Sequence, residues 1–240
     1  MPPASTLPSG RRVIVTGAAG GIGRAIVEAL GSADCAVAAC DAPGTDAPFS
    51  FDVRDRAAVK DNVAKAISGL GGCDSVVANA GIVDTIHRAE RFSEDEWRKD
   101  LETNLYGAFF VVQAAFDALG QSGDGRVVLI SSVGAEVGSP GQVAYGASKA
   151  GMVGMGRTLA SEWASQGIRC NVVMPGFIAT PKVLAMPAEV QDGAKTAIPL
   201  GRFGTTEELA GAVSFLLSPA AAYITGTVLR VDGGFGLLLR

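Results

Sequence analysis

Tyr145 and Lys149 stand four residues apart in the stretch YGASK, a spacing that on a helix sets a phenol and an ammonium on one face. A phenol with a pKa of ~10 keeps its proton at neutral pH, and a neighbouring cation eases its loss, so such a pair suits proton transfer to and from an oxygen. Ser132 lies thirteen residues before Tyr145 and closes the apolar run VVLISS. A hydroxyl at the carboxyl end of such a strand faces a ligand crevice. Taken singly, Ser132 reads equally well as a cap or turn hydroxyl, and Lys149 as a solvated charge.

A second group of residues has the makings of a phosphate site. Thr16 to Gly23, TGAAGGIG, places Gly17, Gly20, Gly21 and Gly23 around Ile22, between an apolar strand-like run and a helical pattern. Glycine there lets backbone approach a pyrophosphate, and the following helix N-terminus offers unpaired N–H groups. The spacing departs from the common G-x-G-x-x-G, so a plain tight strand-to-helix turn stays open as an explanation. Asp41 follows Gly17 by 24 residues at the end of the next apolar run. A carboxylate there suits the ribose hydroxyls of an unphosphorylated dinucleotide and repels a 2'-phosphate, although a strand-end turn aspartate would look the same.

The elements that must hold these groups alternate. RVIVT (12–16), CAVAAC running to Asp41, FSFDV ending near Val53, DSVVANAG, RVVLISS, IRCNVVMPG and GTVLRVDGG read as seven strands. Helical patterns separate most of them, over Arg54 to Leu70, from the capping box at Ser93 and Glu96 toward Leu119, through YGASKAGMVGMGRTLASEWAS, and after a second capping box at Thr205 and Glu208. Ala42 to Phe51, with Pro43, Gly44 and Pro48, is expected to be a loop rather than a crossover helix. The expectation is one α/β domain over residues 1–240, a doubly wound Rossmann-type fold with a seven-stranded, mostly parallel sheet covered by helices on both faces. Residues 1–10 are expected to be flexible. The segment 181–199, carrying Val183, Leu184, Met186 and Ile198, is expected to be a substrate lid, with a surface helix as the alternative.

Composition narrows the partners. A net charge of −4 leaves no basic footprint for nucleic acid. No run of 18 apolar residues is present to span a membrane, and the first residues, MPPASTLPSGRR, lack a secretory core, so a cytoplasmic protein is expected. Cys35, Cys40, Cys73 and Cys170 show no metal spacing, and His87 is the sole histidine. No metal site is expected, only reduced and mostly buried thiols. His87 and Arg88, after the fourth strand, could line a pocket mouth, but a lone histidine is more often structural.

TGAAGGIG, the NAG of Asn79, Ala80 and Gly81, Asn104, Ser132, YGASK and the PG of Pro175 and Gly176 fall in an order and spacing that resembles the short-chain dehydrogenase/reductases from Arg12 to Gly234. The resemblance implies a catalytic set of Asn104, Ser132, Tyr145 and Lys149. Tyr145 would be the general acid/base, and Lys149 would hold the nicotinamide ribose and lower the phenol's pKa. Ser132 would bind the substrate oxygen, and Asn104 would anchor a proton-relay water. It implies cofactor contacts at the glycine turn, Asp41, Asp52, Val53, Asn79, Ala80, Gly81, Tyr145, Lys149, Pro175, Gly176, Ile178 and Thr180. With Gly20 and Ala42 where NADP-using relatives carry basic residues, the expected cofactor is NAD(H).

A phenolate could then take an alcohol proton while hydride leaves carbon, or the reverse, so a secondary alcohol and its ketone are the expected substrate pair, apolar in character. The carboxyl half also resembles 3-oxoacyl-(acyl carrier protein) reductases, in which Arg126 and the position of Gln166 would help dock the carrier. Family assembly implies a homotetramer to which the tail FGLLLR contributes. A catalytically silent dinucleotide sensor is the alternative of another class.

Overall fold

Val13 and Val15 point to one side of the first strand and Ile14 to the other, and all three are buried, the signature of a strand covered on both faces. The computed structural model describes residues 8–237 and builds this strand, β1 (Arg12–Thr16), into the middle of a seven-stranded sheet. The other strands are β2 (Ala36–Asp41), β3 (Phe49–Ser50), β4 (Ser75–Ala78), β5 (Gly125–Ile130), β6 (Ile168–Pro175) and β7 (Val228–Val231). Their order is β3-β2-β1-β4-β5-β6-β7, and every pairing is parallel. The direction of winding reverses between β1 and β4, so the crevice beyond their carboxyl ends is where such a sheet binds ligands.

Alternation splits the core in two. Ile14, Val76, Leu129 and Val172 face one side, against helices α2 (Arg56–Leu70), α4 (Gly107–Ala114) and α7 (Val143–Trp163). Val13, Val15, Val77, Val128 and Val173 face the other, against α1 (Gly21–Ser32) and α10 (Thr206–Leu216). Both expected capping boxes form, Ser93 with Glu96 and Thr205 with Glu208.

One expectation needs correction, the end of the third strand, and two others gain detail. The long helix after Ser93 runs to Gln121 as α3 (Glu94–Leu101), a π turn over Glu102–Tyr106, α4, and α5 (Phe116–Gln121). The wider turn carries Asn104 inward, where its amide makes three hydrogen bonds. The third strand stops at Ser50 rather than near Val53. The chain turns at Asp52, whose carboxylate accepts the Arg54 N–H at 2.9 Å. The segment 181–199 is two short helices, α8 (Pro181–Leu184) and α9 (Ala188–Thr196), with Ile198 buried beneath them. The expected loop after Asp41 is present, with β3 at its end.

Of the residues expected to be flexible, 1–7 lie outside the described ones. Pro8 is buried, and the Gly10 N–H donates to the Asp34 carbonyl. Leu238 to Arg240 of the apolar tail also lie outside the described residues. All four cysteines are free thiols, three of them buried. Among the described residues no helix is long and apolar enough to cross a membrane, and no cluster of three or more His, Cys, Asp or Glu side chains is placed to hold a metal ion.

Candidate active site

The glycine turn and the NAG segment are built as one unit. Gly17 has a φ of 65°, and a Cβ there would meet the Asn79 amide nitrogen at 2.8 Å. Asn79 donates through that nitrogen to the carbonyls of Thr16 and Gly17, each at 3.0 Å, while the Thr16 hydroxyl accepts the N–H groups of Asn79 and Ala80. Gly23 packs so closely under the turn that a Cβ would lie 1.9 Å from the Gly17 carbonyl oxygen. The N-terminus of α1, with Gly20 as its cap, has no side-chain hydrogen bond, unlike α2, which Asp55 caps. Unpaired N–H groups behind a turn bare of side chains fit a pyrophosphate.

Asp41 crosses this turn. Its Oδ2 accepts the Ala19 N–H at 2.7 Å and its Oδ1 the Ala42 N–H at 2.6 Å, which fixes the carboxylate beside the groove while lone pairs remain on both oxygens. Asp52 and Val53 line the next turn. Arg54 grips Asp52 and lowers its pKa, and Val53 packs so close to Gly107 that a Cβ there would lie 2.6 Å from Val53 Cγ2. Across the crevice, Pro175 ends β6 and takes the Val133 N–H on its carbonyl, and Gly176 lies against Asp232. Ile178 is buried in the core, so only its backbone can reach a bound dinucleotide. Ile22 likewise packs on that core, and the Thr180 hydroxyl caps α8. Gly21 faces Pro181 and Thr180 across the gap, which brings the start of the 181–199 segment against the glycine turn.

The chemistry-bearing side chains converge where β4 and β5 end and α7 begins. The Lys149 Nζ is buried and donates to the Ile130 carbonyl at 2.8 Å, 5.9 Å from the centre of the Tyr145 ring. Burial pushes its pKa down to about 8. Asn104 accepts the Ile82 N–H at 2.7 Å and returns a bond to the Ile82 carbonyl at 3.0 Å and another to Ser148 at 3.1 Å. Gly81 sits between them, since a Cβ on it would lie 3.0 Å from Asn104 Oδ1 and 3.1 Å from Lys149 Nζ. The Ser132 Oγ accepts the Gly134 N–H at 3.1 Å.

The phenol's proton affinity is displaced as well. Burial raises the Tyr145 pKa, the Ser132 hydroxyl pulls it back in part, and Asp100 raises it further.

Three expected pocket or docking residues are engaged in contacts of their own. His87 forms a 3.1 Å pair with Glu96 at the rim, and Arg88 pairs with Glu90. Arg126 is buried, bound to Asp124 and the Leu217 carbonyl at the amino ends of the strands, so it offers nothing to an acyl carrier. Sequence reasoning missed Asp84, whose carboxylate takes the Lys182 ammonium from α8 at 2.8 Å, and Asp100, which is wholly buried on α3. Asp100 lies one helical turn before Asn104, on the same buried face, and that spacing was the available signal.

A crevice with a phosphate cradle on one wall and a phenol, a hydroxyl and an ammonium on the other defines a dinucleotide-dependent oxidoreductase. Comparison with known proteins narrows the class. Residues 17–236 match the family model described as Enoyl-(Acyl carrier protein) reductase. The chain is 38% identical over 241 residues to the 3-oxoacyl-[acyl-carrier-protein] reductase FabG of Thermotoga maritima, covering 94% of this chain and 97% of that one. It is 39% identical over 244 residues to the (3R)-3-hydroxyacyl-CoA dehydrogenase of Rattus norvegicus, covering 92% and 94%. A solved structure described as a short-chain alcohol dehydrogenase from Sinorhizobium meliloti 1021 superposes with a TM-score of 0.88 at 37% identity, over 95% of this chain and 96% of that one.

The chain belongs to the short-chain dehydrogenase/reductase family. It is an oxidoreductase of hydroxyl and keto groups that uses a nicotinamide dinucleotide.

Proposed function

We propose that this protein uses NAD(H) to interconvert a secondary alcohol and its ketone, with Tyr145 as the general acid/base. The observation that carries the cofactor reading is Asp41, held by two backbone N–H groups at the groove where the adenosine ribose would lie. A 2'-phosphate there would meet a fixed like charge, opposed by roughly 4 kcal/mol per unit charge at ~4 Å and an effective dielectric of ~20. The glycine turn, Asn79, Ala80, Gly81, Pro175 and Gly176 would hold the rest of the cofactor. When bound, the nicotinamide supplies or accepts the hydride.

In ketone reduction the Tyr145 phenol gives its proton to the carbonyl oxygen, and Ser132 donates a hydrogen bond to the same oxygen. Lys149, buried and directed to the crevice floor, offers a cation beside the phenol and a donor for the cofactor ribose. Asn104, fixed on the Ile82 backbone, anchors the proton path behind Lys149. The 181–199 segment closes over the substrate. The exposed Leu184 and Val190 there favour an apolar one.

Reduction of a 3-oxoacyl thioester is the second reading, favoured by the printed activities of the similar proteins. Because Arg126 is buried and Gln166 is uncharged, an acyl carrier has no basic pair to dock on at those positions. A cytoplasmic homotetramer completes the proposal. The exposed Tyr106 beside α4 and Val143 on α7 offer apolar surface for assembly, and a monomeric mass in solution would refute that part.

The test is a panel of secondary alcohols, ketones and 3-oxoacyl thioesters assayed with NAD(H) and NADP(H) by nicotinamide absorbance. The proposal expects turnover of a free alcohol or ketone with at least tenfold better kcat/KM for NAD(H). Cofactor binding without turnover across the whole panel would instead make the chain a sensor.

A further inference from the structure

Asp100 is the anomaly of the site. It has no exposed surface, and neither carboxyl oxygen has a hydrogen-bond partner among the described residues. A buried carboxylate without partners is costly, and a helix position on an inward stripe ordinarily takes an apolar side chain. Its location is set by packing. α3 and α7 both return against parallel strands and therefore run in the same direction. Asn104 bonds to Ser148, and Leu105 packs where a Cβ on Gly151 would lie. One turn before Asn104 on the first helix is thus level with one turn before Ser148 on the second, and that level is Tyr145.

We propose that Asp100 is a positioning residue for proton transfer, a buried carboxyl group whose negative charge holds the proton on Tyr145 and so biases the site toward proton donation to a carbonyl. This rests on Tyr145 being the acid/base group. The electrostatics agree with the packing. Asp100 raises the Tyr145 pKa, and its own is raised by burial and by Asp84.

The groups facing Asp100 are few. They are Glu96 and Lys99 from its own helix, Asp84 from the segment after β4, Lys182 from α8, and Tyr145 from α7. Lys182 and Lys99 are both engaged with Asp84, so no cation is committed to Asp100. Tyr145 faces Ser132 and Asp100, with the Lys149 ammonium 5.9 Å from its ring. As pH rises Asp100 ionises first, and its charge then opposes formation of the phenolate. The enzyme would remain a proton donor to higher pH than a site without it.

The test is Asp100→Asn, with Asp100→Leu as a second variant that fills the same space without a polar group. The first readout needs no cofactor and no turnover, since tyrosinate absorbance is titrated against pH and Tyr145 is isolated by subtracting the Tyr145→Phe protein. The expected result is a midpoint lower by about one pH unit in either Asp100 variant that folds. The second readout is the acid limb of kcat/KM for alcohol oxidation, expected to move the same way. Midpoints that coincide with wild type would overturn the inference, even if activity or stability changed. Failure of the underlying acid/base reading would show separately, as turnover retained by Tyr145→Phe.

Discussion

The two ends of the sheet treat charge in opposite ways. At the amino ends of the strands, Arg11, Arg126 and Arg169 gather on Asp124, and Arg12 clasps Asp74 with bonds of 2.6 to 2.9 Å. Their remaining donors reach backbone carbonyls, among them those of Asp74, Gly71, Leu217 and Ala221. Asp74 and Asp124 both have lowered pKa values, with their arginines offsetting the burial that would raise them. At the carboxyl ends, Lys149 is buried with a carbonyl and a thioether for company, and Asp100 is buried with nothing. One edge is satisfied and ties strands together. The other retains buried ionisable groups with no charged partner, whose proton affinities burial itself displaces, a condition suited to proton transfer.

The sharpest way to break this comparison is Lys149→Met. The substitution keeps the volume and removes a buried charge, so turnover is expected to fall about 10³-fold while thermal stability does not fall. The sign with pH follows from the pKa of about 8 in the folded protein against 10.5 for the free group. The unfolded chain holds this proton longer, so wild-type stability gains a contribution as pH rises from about 8 to about 10.5. Denaturant titrations at pH 8 and 10 should show Lys149→Met lacking that gain.

Asp41→Ala is expected to erase the proposed preference for NAD(H), changing the NAD(H)/NADP(H) ratio of kcat/KM by about 10²-fold. An unchanged ratio would place cofactor choice elsewhere.

At the opposite edge, Asp124→Asn should leave kcat unchanged and cost about 2 kcal/mol of unfolding free energy, a modest figure because Asp124 is half exposed. Its lowered pKa stabilises the fold above the ordinary carboxylate value and ceases to do so as pH falls through the lower folded value. The deficit of the variant should therefore shrink in acid. Loss of activity without loss of stability would erase the distinction between the two edges.

Lys182→Met removes the exposed bridge from α8 to Asp84 and the Val83 carbonyl. A rise of about threefold in KM with kcat unchanged is expected, measured with the best substrate of the panel.

Much of the fold was legible because both-face burial writes continuous apolar runs for β1, β4 and β6, and because two capping boxes mark helix starts unambiguously. The early end of β3 and the π turn at Asn104 were not legible, since the first is a local turn that Arg54 closes on Asp52 and the second depends on distant partners, Ile82 and Ser148. Site residues at strand ends and in glycine turns could be read because local geometry demands those residue types. The true position of Arg126 could not, because a charge in sequence carries no mark of what will surround it, and for Asp100 the spacing to Asn104 was the one signal.

The most direct test of the central claim is Tyr145→Phe, assayed in parallel for turnover, for NADH binding by fluorescence and for thermal unfolding. Turnover should fall by about 10³-fold or more while the binding constant and the unfolding midpoint stay at wild-type values. Turnover within tenfold of wild type, or a loss of activity that follows a loss of fold, would contradict it.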